Sequence, residues 1–301
     1  MAPDAPEAPT AAEQDTASPW AMSYARTVHG PFEPVPRGKV RVTLLTDPWS
    51  VWCWGFEPVR RAIEARYPGI EFRSLVGGMF PRVPDPREAG FDLEAFFGVV
   101  QRSTGMPVRT EGMREDRPTS TYPACVFVHA VRLLQPDREQ GYLRALREAA
   151  YLDGRNVSRE AVATAVAARI GIDPGEFAEA LASGEPEKDF RDRIAFLHQL
   201  DLHAYPTLLI TAGEKTARVE GFQSLPGVMG IVNELTGRLH APVPPPPVER
   251  LLSPTERVTT REIAEVCGLS IEQAYDEASR LVEHGRARRE RHPAADAWIG
   301  A

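Results

Sequence analysis

Asp47-Pro-Trp-Ser-Val-Trp-Cys-Trp-Gly-Phe-Glu-Pro58 follows an apolar run, Val40, Val42, Leu44 and Leu45, and leads into a helix-like segment. The chain therefore passes from a buried strand, Lys39 to Thr46, through a tight turn into a helix, Trp52 to Arg66. A second strand, Ile70 to Val76, follows and ends at Gly77-Gly78. Two strands of one sense joined by a helix form a right-handed βαβ crossover, so the pair is parallel. At the turn, the spacing Ser50-x-x-Cys53 sets a hydroxyl and a single thiol one helical turn apart. Unpaired N–H groups and the helix dipole favour a thiolate at such a place. With one sulfur no disulfide closes there, and ordinary dithiol redox chemistry is not expected.

Working outward, residues 91 to 202 switch to helical periodicity: Leu93, Phe96, Phe97, Val100; then Ala124, Phe127, Val128, Val131, Leu134; then Leu143, Leu146, Ala150. Ser158 and Asp173-Pro174 read as caps of later helices. The strand pattern returns at Thr207 to Ile210, turns at Ala212-Gly213-Glu214 and runs back over Thr216 to Glu220, as an antiparallel hairpin does. A helix from Ser224 to Thr236 closes the sheet. The α/β domain is thus split into residues 37–90 and 203–240 around an all-helical insertion, 91–202.

Before it, residues 1–36, rich in Ala, Pro, Glu and Ser, read as a flexible tail in which Trp20 to Tyr24 is the part able to dock. After it, Ala241-Pro-Val-Pro-Pro-Pro-Pro-Val248 reads as a stiff linker that separates the body from a small module, 249–301. In that module a capped helix from Thr259, a turn at Gly268, a second cap at Ser270, a helix to His284 and a hairpin (286–291 with 297–299) make a winged-helix-like pattern. The seven Arg and nine Asp/Glu of residues 251–301, with Glu272, Asp276 and Glu277 on the second helix, argue against DNA and for packing on the body or on a protein partner.

The whole chain, 301 residues, 43% hydrophobic and with a net charge of −7, lacks the basic footprint of a nucleic-acid binder. No apolar stretch approaches the roughly 20 residues that span a bilayer, and the first residues carry neither the basic nor the apolar region of a secretory signal, so a cytoplasmic location is expected. Cys53, Cys125 and Cys267 lie 72 and 142 residues apart, which signals neither a disulfide framework nor a metal site. Cys125 and His129 share a helix face by their spacing, and without further ligands read as core.

The strand, the Trp-Cys-Trp-Gly-Phe-Glu-Pro turn, the helical insertion and Ala204-Tyr205-Pro206-Thr207 before a strand together resemble the DsbA family of the thioredoxin fold, in its cytoplasmic FrnE-like branch, over residues 39 to 240. Pro123-Ala124-Cys125, Asp153-Gly154-Arg155-Asn156 and Gly221-Phe222 add to the likeness. The resemblance implies a thioredoxin-like sheet and a cis bond before Pro206, with the Tyr205 backbone presented to an extended substrate. Dithiol members carry cysteine where Ser50 stands; Ser50 to Glu57 is instead similar to the serine-bearing stretch of kappa-class glutathione transferases and hydroxychromene-carboxylate isomerases, one residue shorter. That likeness implies a serine that stabilises a bound thiolate, and a low-molecular-weight thiol such as glutathione as cofactor.

Ser50 also suits a plain N-cap, and Cys53 a buried inert thiol. Trp49, Trp52 and Trp54 gather three of the five tryptophans in six residues, more rings than one helix buries, so an apolar groove completed by Met79, Phe80, Tyr205 and Pro206 is expected beside the thiol. His203, three residues before Pro206, is the candidate acid–base group. The reading placed first is a thiol-dependent, non-redox isomerase or transferase, with Cys53 or a thiol held by Ser50 adding reversibly to a small hydrophobic or acyl substrate, free or carrier-bound. A DsbA-type thiol–disulfide oxidoreductase and a non-catalytic adaptor that meets a protein partner through 249–301 are the alternatives.

Overall fold

The computed structural model describes residues 26–28, 35–85, 92–109, 115–292 and 295–301. Strand β1 is Arg26–Val28, β2 Val40–Thr46, β3 Ile70–Val76, β4 Thr207–Ala212 and β5 Lys215–Glu220. They form one sheet in the order β1-β5-β4-β2-β3. β2 and β3 are parallel, from Val40 opposite Ile70 to Thr46 opposite Val76. β4 runs antiparallel to β2 and makes a hairpin with β5. Val40, Val42, Leu44, Leu208 and Ile210 send their side chains into one core, while Leu45 and Leu209 serve the other face. This alternation is what a sheet covered on both sides requires.

The helix expected from Trp52 to Arg66 is two helices, α1 (Val51–Gly55) and α2 (Glu57–Arg66). Pro58 has no N–H to donate to Trp54 O, so the ladder breaks between them. α2 buries Val59, Ala62 and Ile63 against the sheet, together with α9 (Leu225–Thr236) from the opposite end of the domain. The insertion supplies α3 (Leu93–Thr104), α4 (Tyr122–Leu134), α5 (Glu139–Tyr151), α6 (Glu160–Arg169), α7 (Pro174–Ala182) and α8 (Glu185–Gln199). Asp173 caps α7 as read, but Ser158 does not cap α6, whose N-cap is Arg159 without a side-chain bond. The Ser158 hydroxyl donates instead to Ser120 O at 2.9 Å. Gly55 is required where α1 crosses α3, since a Cβ there would sit 2.6 Å from the Thr104 methyl.

Two expectations about the ends are corrected. Residues 26–28, assigned to a flexible tail, pair with β5 as β1, and Val35 is buried with its N–H on Gly213 O at 3.2 Å; Trp20 to Tyr24 lie outside the described residues. The Pro-rich linker does not hold the last module away from the body. Val243 N–H bonds Arg66 O at 2.8 Å at the end of α2, and the module lies against the same helix. The module contains β6 (Val258–Thr259), α10 (Thr260–Cys267), α11 (Ile271–Glu283), β7 (Ala287–Glu290) and β8 (Ala297–Gly300), its sheet ordered β6-β8-β7. It has a core of its own around Trp298, yet Val266 enters the core under α2 and Ala297 that of the insertion. Among the described residues no helix is long and apolar enough to cross a membrane.

Candidate functional site

The turn between β2 and α1 is pinned by a residue that the sequence reading passed over. Asp47 is wholly buried and accepts hydrogen bonds from Trp49 N–H at 2.7 Å, Met79 N–H at 2.8 Å and the Thr121 hydroxyl at 2.8 Å. Three elements are thereby fixed to one carboxylate: the turn itself, the loop after β3 and the start of α4. Burial raises the pKa of Asp47, against the pull of these donors. The signal open to sequence was the Asp-Pro pair at the end of a strand.

Ser50 is the N-cap of α1, its hydroxyl accepting from Cys53 N–H at 3.3 Å. It is 3% exposed and Cys53 is 0% exposed. Burial pushes the Cys53 thiol up, although the Arg147 charge and the Ser50 hydroxyl pull the other way. The expectation of an open sulfur beside an aromatic groove is therefore corrected. Two of the three rings of the turn are buried rather than open to solvent. Trp49 is buried, its indole N–H on Ser158 Oγ at 2.8 Å. Trp54 is buried too, donating to Pro107 O at 2.8 Å, stacked 5.8 Å from Tyr151 and with the Arg144 guanidinium 4.6 Å from its ring centre. Trp52 alone is half-exposed, 6.0 Å from Phe222. The role expected of Ser50 in holding a small thiol needs a free hydroxyl, and this one is covered.

Beyond the turn, the bond before Pro206 is cis and Pro206 is buried. Tyr205 is half-buried with its hydroxyl on Gly78 O at 3.3 Å, and its ring fills the space in which a Cβ at Gly77 would stand. Among the described residues no backbone bond reaches Tyr205 N–H or C=O. Met79 is half-buried and Phe80 exposed. Trp52, Met79, Phe80 and Tyr205 thus each keep some apolar surface in solvent, whereas the sulfur keeps none. His203 is exposed and occupied elsewhere, with Nε2 3.2 Å from Asp201 and its ring 4.9 Å from that of His198, so the acid–base role beside Cys53 is not supported by its position. Cys125 points its thiol at Gly77 O, 2.8 Å away, and His129 meets Asp189 and Val76 O. Among the described residues no cluster of three or more His, Cys, Asp or Glu is placed to hold a metal ion.

The densest chemistry lies behind the turn. Glu57 is 1% exposed and contacts Arg60 at 2.8 Å and the buried Arg147, which also reaches the Thr46 hydroxyl. Burial alone would raise the Glu57 carboxyl, but the charges of Arg60, Arg147 and Arg144 outweigh it and hold the pKa at about 2. Arg144 in turn meets Glu148 at 3.2 Å and Glu262 of the module at 2.7 Å. Arg257 of the module binds Glu148 at 3.3 Å and Asp153 at 2.6 Å. This ionic layer joins α2, α5 and α10. In sequence its only trace is a run of Arg and Glu among the apolar residues of α5, Leu143-Arg-Ala-Leu-Arg-Glu-Ala-Ala150, where solvent exposure was the ordinary assumption.

Residues 44–228 match the sequence profile of the thioredoxin family. The chain is 26% identical over 259 residues to the ClpXP adapter protein SpxH of Halalkalibacterium halodurans, which covers 82% of this chain and 84% of that one. It is 24% identical over 251 residues to SpxH of Bacillus subtilis, with 82% and 84% covered. Among solved structures it is similar to a putative protein disulfide isomerase from Nitrosomonas europaea, with a TM-score of 0.56 and 22% identity over 65% of this chain and 97% of that one. It is also similar to the cytosolic disulfide reductase DsbM from Pseudomonas aeruginosa, with a TM-score of 0.50 and 21% identity over 65% and 95%. At these identities the two structures speak for a DsbA-like thioredoxin fold alone.

Proposed function

We propose, from the premise that this chain belongs to the thioredoxin family, that it is a non-catalytic adaptor: the fold is kept, the thiol site is closed, and the surface takes up a protein client. Like the SpxH relatives, it would present that client to ClpXP, in the cytosol. The observation that carries the reading is Cys53. The nucleophile's place is taken by a capping serine, and the one remaining sulfur is 0% exposed with its thiol pushed up by burial. Attack on a disulfide or on an activated double bond requires an accessible thiolate. Support also comes from the length of the likeness to the two adapters, 82% of the chain, which reaches beyond residues 44–228.

The test is genetic and quantitative. In cells lacking this chain, a defined set of proteins is expected to accumulate in a ClpP-dependent manner. Wild type, Ser50→Ala and Cys53→Ala are expected to restore their turnover equally. Loss of restoration in a folded Cys53→Ala chain, or a client set unaffected by ClpP, would overturn the reading and return the molecule to thiol chemistry.

A further inference from the structure

A cleft of about 790 Å³ opens where α2, α5 and the start of the module meet, well within the ~300–1,000 Å³ of ligand sites. Most charged groups lining it are already paired: Glu64 with Arg60, Glu256 with Arg61, and Glu148 with Arg144. What stays unmatched is chiefly donors. Arg250 is exposed with no carboxylate partner among the described residues. Arg138, also exposed and on the same cleft, gives one N–H to the Ile170 carbonyl and meets no carboxylate. Gln140 Nε2, which lines the cleft, is buried without an acceptor. Asp137 is the single unpaired carboxylate set against these. Ala65, Ile170, Pro246 and Leu251 supply apolar wall between the polar groups.

We infer that this cleft is a docking site for an extended acidic peptide of a protein partner, its carboxylates on Arg138 and Arg250, an apolar side chain on the wall, and a backbone carbonyl on Gln140. A compact multiply charged anion fits less well, because the buried Glu148 and the half-buried Glu256 line the cleft while the two free guanidinium groups are exposed and lie apart on different segments, 136–138 and 248–251. A peptide spreads its charge over both and keeps neutral groups between them. The site deepens the adaptor reading and rests on it: a bound segment would touch body, insertion and module together.

The full chain titrated against a fluorescein-labelled decapeptide of alternating Glu and Leu tests this by anisotropy. Saturable binding is expected, weakened about tenfold or more in Arg138→Glu/Arg250→Glu. Arg191→Glu, exposed on α8 and outside the cleft, is expected to bind as wild type does. Failure of wild type to bind the probe, equal affinity in the double variant, equal binding of a Lys/Leu decapeptide, or displacement by inorganic phosphate at matched ionic strength overturns the site. If the probe fails while ClpP-dependent turnover persists, the cleft falls and the adaptor reading stands; if the probe binds but no turnover depends on this chain, the reverse holds.

Discussion

The turn that carries Cys53 buries two of its three tryptophan rings; the junction around Arg144 buries ions. The turn carries the motif that sequence singles out, and there Trp49 and Trp54 are buried along with Ser50 and the sulfur. The junction carries no motif, yet it holds Glu57, Arg60, Arg144, Arg147, Glu148, Arg257 and Glu262 at low exposure, with an open cleft beside them. On the adaptor reading the motif serves as structure, while a place that reads as surface charge joins the three parts. Buried ions of this kind are weak evidence of net stability, but removal of any single partner strands the rest.

The largest effect that tests the contrast is Glu57→Gln. It leaves Arg60 and Arg147 facing a neutral group, and a loss of about 3–5 kcal/mol is expected from urea unfolding. A loss under about 1 kcal/mol would mean that the ionic layer is incidental. Next is acid. The folded pKa of Glu57, about 2, lies below its ordinary 4.5, so its contribution is complete above pH 4.5 and fades as pH falls toward 2. The amount is on the order of 3 kcal/mol. Unfolding curves in that window should flatten in Glu57→Gln; an unchanged slope contradicts the assignment.

On the other side of the comparison the effects are smaller. Iodoacetamide should label Cys53 in the native chain at least ~10³-fold more slowly than in denaturant, since access requires opening of the core. Native labelling at the rate of a free thiol would break the contrast outright. Ser50→Ala removes a cap bond and is expected to cost about 1 kcal/mol in thermal or chemical unfolding, with client turnover unchanged.

Much of the frame was legible because its signals are local. β2 and β3 follow from apolar residues spaced along short segments bounded by Gly or Pro, the β4–β5 hairpin from its Ala-Gly-Glu turn, and α9 and α10 from Ser and Thr caps whose bonds the structure contains. The split between α1 and α2 was missed, although Pro58, through the donor it lacks, carried its signal. What was not legible depends on partners far along the chain. Trp54 is satisfied by Pro107 and Tyr151, Trp49 by Ser158, and no window around the turn contains them. The same holds for the module: its excess of carboxylates pointed to packing on the body or on a partner, and it does pack on the body, but the residue that Glu262 meets, Arg144 of α5, lies far along the chain. The polyproline run read as a spacer because its stiffness is local and its destination, the end of α2, is not.

Glu262 serves two structures with one side chain. Its carboxylate closes the capping box of α10 on Thr259 and, from the same oxygen, accepts from Arg144 at 2.9 Å. The box lies wholly within the module and would survive release, but lifting the module off would strand Arg144 in the body without Glu262 and bare Val266 and Ala297. Heating should melt tail-end and body in a single calorimetric transition, so that quality-control proteases encounter either the whole assembly or an unravelled chain, with little in between.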